Sequence, residues 1–256
     1  MGFVKLRDAG IEVVEGILER EAEELNRGFI TRLKKKLPFV TLKMAMSIDS
    51  RIATKTYDSQ WITGEEARHS SHFLRSKHDA ILTGIGTVLA DNPFLNTRIS
   101  GLENRSPIRI ILDTNLRIPI DSQIVSTAAK HETIIFTTVA AGETKKKQLE
   151  SFGLQIITIN GDKSGRVSLI EALRSIAKKG INSILVECGG TLCTEFIKSN
   201  LIDEFLVYRA PIVLGGDGIA AVEGFGVSDL SAAPNFKLTG ITRLGADTLE
   251  SYKRQI

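Results

Sequence analysis

The chain has 256 residues, 42% of them hydrophobic and 25% charged, with a formal net charge of +3. Such a balance fits one large globular domain or two small ones and excludes a disordered or strongly basic chain. The lysine clusters at 34–36 and 145–147 have no interleaved aromatics, so they read as solvated helix faces and no nucleic-acid partner is expected.

No apolar run approaches the roughly 18 residues of a membrane span, so no membrane partner is expected. The opening MGFVKLRDAG lacks the apolar core of a signal peptide, and Leu6 fails a myristoylation pattern. Two cysteines, Cys188 and Cys193, make no disulfide framework and fit a reducing compartment. Together these features predict a cytoplasmic protein.

In chain order, IEVV at 11–14 reads as a short strand. Residues 19–36 read as a helix, with Leu25, Phe29, Ile30 and Leu33 at helical spacing, and Pro38 ends it. This strand–helix appendage is too small to fold alone. From 39 onward strands and helices alternate. FVTLKMAMS (39–47) is a strand with Thr41, Lys43, Ala45 and Ser47 on one face and Leu42, Met44 and Met46 on the other. Residues 64–77 form a helix opened by Thr63 as N-cap with Glu66 three residues later. AILTG (80–84) is a strand leading into a helical turn, and IRIILD (108–113) is a buried strand ending in Asp113. Strands follow at 132–138, 154–160 and 183–187, separated by helices near 143–151 and 168–179. The chain closes with strands at 205–215, 236–245 and 247–253 joined by hairpin-type turns. This order predicts an α/β protein with a mainly parallel sheet, helices on both faces and an antiparallel C-terminal edge.

In such sheets ligands sit beyond the carboxyl ends of the strands. Asp49, Thr83 to Thr87, Asp113, Thr114 and the run from Glu187 to Thr191 stand at those ends and point to one shared crevice. ILVECGGTLCTEFI (184–197) runs a buried strand into two glycines and a helix. Free N–H groups and the positive dipole end there suit a pyrophosphate, with hydroxyls from Thr191 and Thr194. The plainer alternative is that Gly189 and Gly190 only make the turn. TGIGTVLADNP (83–93) is a second glycine-rich junction, and two such junctions would frame a nicotinamide dinucleotide. Asp91 there could cap backbone or face the crevice.

The only tryptophan, Trp61 in SQWITG, reads as a rim residue able to cover a ribose or nicotinamide, although a lone Trp is more often core filling. Arg75 and Arg98 are candidate phosphate ligands. Lys43 lies mid-strand among apolar residues and needs a partner, for which Glu187 is a candidate. His69 and His72 are three apart on one helix, with His78 beyond, but no carboxylate or cysteine cluster completes a site, so no metal is expected.

The run LKMAMSIDSRIAT, SQWITGEEAR, DAILTGIGTVLADNPFLNTR, PIRIILD and ILVECGGTLCTEFIKSNLIDEFLVYRAPIVLGGDG resembles the reductase domain of the bacterial bifunctional riboflavin-biosynthesis deaminase-reductase. That resemblance covers 38–256 and implies a dihydrofolate-reductase-like fold. Residues 1–37 resemble the tail of the deaminase half, whose zinc signature is missing. No deaminase activity is therefore expected, whether the chain is a fragment or a naturally shortened form. The resemblance implies that NADPH hydride reduces C1′ of 5-amino-6-(5-phosphoribosylamino)uracil to the ribitylamino product.

By the same resemblance Ala45, Trp61, Thr87, Asp91, Thr114, Gly189, Gly190, Thr191, Leu192, Cys193, Thr194 and Glu195 match cofactor contacts. Ser59, Arg75, Leu95, Arg98 and Glu187 match substrate contacts, the two arginines meeting the 5′-phosphate. Lys43 and Glu187 handle the ribose, and Asp91 is the first candidate for proton transfer. A homodimer through the C-terminal strands is expected. The chain departs from the family at Ser50, where a glycine is usual, and at Cys188, which is expected to be a buried, unreactive thiol. Competing readings are reduction of the undeaminated diaminopyrimidinone, an inactive NADPH-binding or scaffolding remnant, and dihydrofolate reduction, which the crevice arginines disfavour.

Overall fold

In the computed structural model, which describes residues 2–255, the apolar runs of the sequence become strands of one sheet. Met1 and Ile256, the outer ends of the two expected domains, lie outside the described residues. The chain begins with α1 (Gly2–Asp8), α2 (Glu19–Leu25) and α3 (Arg27–Lys35). Then come β1 (Phe39–Ser47), β2 (Arg51–Ala53), α4 (Glu65–Arg75), β3 (Ala80–Gly84) and α5 (Ile85–Asp91). The middle comprises β4 (Ile108–Leu112), α6 (Gln123–Ser126), β5 (Thr133–Thr137), α7 (Glu143–Ser151), β6 (Gln155–Thr158) and α8 (Leu169–Lys178). The last third holds β7 (Ser183–Glu187), α9 (Gly190–Lys198), β8 (Glu204–Ala210), β9 (Ile219–Ala220), β10 (Phe236–Leu244) and β11 (Asp247–Arg254).

Nine strands form one sheet in the order β10-β11-β8-β1-β7-β3-β4-β5-β6. Pairing from β8 through β6 is parallel, whereas β11 runs antiparallel to both β8 and β10. Parallel strands need crossover helices, and those helices bury both faces. On one face Leu42, Met44, Ile110, Ile134 and Val186 pack with Ile176 and Phe196. On the other, Ile81, Ile111, Ile135 and Leu185 pack with Val88, Ile124 and Leu149. Neighbouring residues such as Ile110 and Ile111 therefore serve opposite cores, as a two-residue period requires. This is the mainly parallel α/β sheet with an antiparallel C-terminal edge that the alternation predicts.

Several expectations about single elements fail for identifiable reasons. Residues 11–14 form no strand, because no strand lies beside them to complete their backbone hydrogen bonds. The helix expected over 19–36 is broken at Asn26 into α2 and α3. Gly64, not Thr63, is the N-cap of α4 and no side chain caps the first turn; the Gly64 N–H instead donates to Asp247 Oδ2 at 2.7 Å, so a distant carboxylate holds the start of the helix. The strand expected over 205–215 stops at Ala210, and the helices α1 and α6 and the β2–β9 pair carry no strong sequence pattern.

The appendage is locked to the sheet by charge. Arg27 donates to both oxygens of Glu204 at 3.0 Å, Lys35 pairs with Asp203 at 2.8 Å, and Arg32 Nε donates to Asn182 Oδ1 at 2.7 Å. Arg109 of β4, expected only as part of a buried strand, is 0% exposed and meets no carboxylate among the described residues. Its guanidinium donates to Thr133 and Thr127 hydroxyls and to the carbonyls of Phe94, Ile124 and His131. Burial lowers its pKa to about 10, so it stays charged at neutral pH. It fastens the turn after α5, one wall of the site, to the sheet.

Candidate active site

The carboxyl ends of β1, β7, β3 and β4 open into one cleft of about 1470 Å³. At one end Lys43 lies opposite Glu187 in the β1–β7 register, with Nζ 3.7 Å from Oε2. Arg75, from the last turn of α4, grips the same carboxylate through Nε at 2.8 Å and Nη2 at 3.0 Å. Its Nη1 donates to the Asn96 carbonyl at 3.0 Å. Burial alone would raise the pKa of Glu187, but the Arg75 and Lys43 charges overcome it and hold the acid down at about 2. Burial lowers the Lys43 pKa against the opposing pull of Glu187. The ammonium also stands 5.4 Å above the Tyr208 ring.

The expected Lys43–Glu187 pair is thus present, joined by an arginine that the sequence suggested only as a phosphate ligand. Arg98, the second such arginine, has Nε 3.3 Å from His72 Nε2. Burial, with help from Arg75 and Arg98, lowers the His72 pKa to about 4. Arg68 escaped the sequence reading and His72 entered it only as a metal ligand, although Arg68, His72 and Arg75 recur at i, i+4 and i+7 and so share one stripe of α4. All three line the cleft.

Asp91, at the end of α5, reaches solvent through the cleft mouth, yet the surrounding walls withhold enough water to raise its pKa. Its carboxylate has no side-chain hydrogen-bond partner among the described residues. Trp61 stands at the rim, 65% exposed, with the Arg68 guanidinium 4.9 Å from its ring centre. The rim placement is therefore the observed one. Ala45, Ser59, Thr87, Leu95, Arg98, Thr114, Leu192 and Glu195 also line the cleft. Thr114 Oγ1 accepts from Val167 N at 3.2 Å.

The two glycines differ. A Cβ on Gly190 would lie 2.5 Å from the Ala220 carbonyl oxygen, so this position is glycine because another backbone packs on it. A Cβ on Gly189 would meet nothing within 4 Å, leaving its face open to the cleft. Gly189 caps α9, whose first N–H groups have no partner within the helix. Thr191 lines the cleft while its hydroxyl donates to Glu223 Oε1 at 2.5 Å.

Cys193 and Thr194 do not reach the cleft. Cys193 is 0% exposed in the core, and Thr194 is buried, its hydroxyl donating to Gly190 O and accepting from Glu223 N. A helix turn sends only every third or fourth residue to one side, so a continuous run of contacts is sterically impossible for side chains. Asp49 and Asp113 also turn away. Asp49 accepts from Ser47 Oγ, Leu214 N and Gly215 N, and buried Asp113 accepts from Ile118 N. Ser50 takes the left-handed conformation, φ 60°, that a glycine would favour. Cys188 lines the cleft and is not fully buried, although burial raises its pKa well above the ordinary thiol value. Among the described residues no three His, Cys, Asp or Glu side chains gather as metal ligands.

Two measurements probe this geometry. Gly190→Ala should destabilise the fold by about 1–3 kcal/mol through overpacking, whereas Gly189→Ala should leave the melting temperature unchanged; equal losses would contradict the assignment. Stability should also depend on pH. His72 titrates at about 4 in the folded chain against 6.5 unfolded, so the unfolded state takes up the proton first as pH falls through that window. Urea unfolding should therefore show stability full above 6.5 and declining toward 4. Glu187 adds a second loss between 4.5 and about 2. His72→Gln should flatten the upper part of the decline, and an unchanged slope would contradict it.

Residues 38–249 match the family described as the RibD C-terminal domain. The riboflavin biosynthesis protein RibD of Bacillus amyloliquefaciens is 39% identical over 247 residues, a match covering 96% of this chain and 65% of that protein. The RibD of Escherichia coli is 35% identical, covering 96% of this chain and 68% of the relative. Among solved structures, Acinetobacter baumannii RibD aligns with a TM-score of 0.87 at 30% identity, covering 99% of this chain and 68% of that one. The deaminase/5-amino-6-(5-phosphoribosylamino)uracil reductase of Thermotoga maritima aligns at 0.82 and 31%, covering 100% of this chain and 67% of that one. The chain thus spans about two thirds of the length of the relatives it matches. It belongs to the RibD C-terminal domain family.

Proposed function

We propose that this chain reduces the ribosyl C1′ of 5-amino-6-(5-phosphoribosylamino)uracil, giving the ribitylamino product of riboflavin biosynthesis, with NADPH as reductant. One observation carries the reading: a buried Lys43–Glu187–Arg75 cluster stands in the same cleft as a helix N-terminus opened by the bare face of Gly189. The first is built for a polyhydroxylated sugar, the second for a pyrophosphate. The residues fit the cofactor because nothing within 4 Å fills the space beside Gly189 where a phosphate would approach.

When bound, NADPH supplies a hydride to C1′ once the ribose ring has opened. The ring oxygen then needs one proton. Lys43 and ionised Glu187 orient the ribose hydroxyls, and Arg75 holds the Glu187 carboxylate in place. Asp91, with its raised pKa and unpartnered carboxyl, delivers the proton at the ring oxygen. Arg98 meets the 5′-phosphate, with Ser59 and Leu95 completing the substrate wall. Ala45, Trp61, Thr87, Thr114 and the start of α9 cover the cofactor. Residues 38–256 form the reductase unit, and 1–37 are an appendage docked through α3. The reading implies a cytoplasmic setting; among the described residues no helix is long and apolar enough to cross a membrane.

Purified chain should oxidise NADPH, followed at 340 nm, with the deaminated substrate and more slowly with the undeaminated one. Asp91→Asn should lower kcat about 100-fold, in the range for loss of a general acid, with KM little changed. No turnover on either pyrimidine would overturn the proposal, and faster turnover of the undeaminated one would reassign the substrate. A homodimer completes the reading: β10 is an unpaired edge strand with Leu238 and Ile241 exposed. Light scattering should return twice the chain mass, and a monomer at micromolar concentration would contradict it.

A further inference from the structure

We propose that the appendage helix α3 positions the arginine clamp of the site through a buried relay of Arg27, Glu204, Thr41 and His78 that ends on the turn carrying Arg75. The catalytic consequence rests on the reductase reading above; the relay itself does not.

The relay begins where α4 ends. His78 lies three residues beyond Arg75, and its N–H donates to the Arg75 carbonyl at 3.3 Å. Its ring Nδ1 stands 2.9 Å from the Leu74 carbonyl. Backbone and ring together hold two carbonyls of the final turn, as a histidine at a helix C-terminus can. Across the ring, Nε2 stands 3.0 Å from Thr41 Oγ1, which in turn lies 3.2 Å from Glu204 Oε2. The register of β1 against β8 sets Thr41 opposite Glu204. Arg27 closes the relay with its two 3.0 Å bonds to that carboxylate. Thr41 and Lys43 share one face of β1, so the relay runs one strand repeat, about 7 Å, from the Lys43–Glu187–Arg75 cluster.

A buried histidine beside a threonine is ordinarily no more than satisfied polarity. The proton count distinguishes this one. A carbonyl can only accept, so Nδ1 carries a proton toward Leu74. Burial lowers the His78 pKa, so at neutral pH Nε2 is bare and must accept. The Thr41 hydroxyl has a single proton, and giving it to Nε2 leaves the facing Glu204 oxygen unserved. Arg27 supplies what is lacking, because its guanidinium reaches both carboxylate oxygens. Without Arg27 the carboxylate would draw the hydroxyl proton to itself or a further proton onto His78. Either change alters the hold on the last turn of α4. The charges facing the ring are Glu204 from β8, Arg27 from α3 and Asp79 beside it, the last engaged by the N–H groups of Asn182 and Ser183. Arg27, Thr41 and His78 are thus positioning residues, none of which touches the cleft.

The test follows Arg27→Ala, Arg27→Lys and Thr41→Val in the full chain by NMR, reading the His78 ring and the Arg75 Nε–H signal. Arg27→Ala should raise the pH at which His78 titrates, since the facing carboxylate has lost its own cation. Arg27→Lys keeps the charge and should return that titration toward its original position. Both Arg27→Ala and Thr41→Val, the latter close in shape and serving should the former not fold, should shift the Arg75 signal. In each, kcat/KM for the pyrimidine should fall about tenfold, the usual scale for an interaction with a charged group, with NADPH affinity unchanged. A His78 titration and an Arg75 signal that stay fixed would overturn the relay. Equal losses of pyrimidine turnover and NADPH affinity would likewise overturn it, since they mark general loosening. No turnover by the unmodified chain would overturn the reductase reading, and the two NMR signals would then decide the relay by themselves.

Discussion

A carboxylate deprived of water must be paired, and the site is built around one such pairing. Glu187 is clamped by Arg75 from α4 and faced by Lys43 from β1. Isolated in the interior, any one of these charges would be strongly unfavourable; together they fix one another. The consequence is geometric. Helix α4 must bring its last turn over the end of β7, and the register of β1 against β7 must set Lys43 beside Glu187. The stripe of α4 that carries Arg75 then also delivers His72 and Arg68 to the cleft. Trp61 follows, because its ring lies beneath Arg68.

The glycine pair shows how one motif can serve two physical ends. Gly190 lets the end of β9 lie directly on the start of α9, so the β2–β9 strap closes one side of the cleft. Gly189 leaves the other side bare. Close backbone packing thus accounts for Gly190, while Gly189 leaves the open face on which the proposed pyrophosphate would lie. The Thr194 hydroxyl and the Glu223 N–H extend the same clamp, which is why a threonine in this run faces inward.

Much of the fold was legible because apolar period and turn residues are local properties. The strands at 39–47, 80–84 and 183–187 stand where their alternation or apolar runs placed them, and Pro38 follows closely on the end of α3. What escaped depends on partners far along the chain. Asp247 holds the N-cap residue of α4 from 183 residues away, and no local pattern at Thr63 could reveal it. IEVV has strand composition but no neighbouring strand. The site divides in the same way. Lys43 and Glu187 could be paired by reasoning that a buried charge needs an opposite. Arg75 could not be seen as their third member, because its helix meets β7 only in three dimensions. Cys193 and Thr194 were drawn into the expected contacts by a continuous motif that the helical turn then splits between cleft and core.

The most direct test of this account is a crystal structure of the chain saturated with NADPH. The pyrophosphate should lie against the N–H groups at the start of α9 beside Gly189, with the nicotinamide turned toward Lys43 and Glu187 and its rim covered by Trp61. Density for the nucleotide outside this cleft, or with its nicotinamide remote from Glu187, would contradict it.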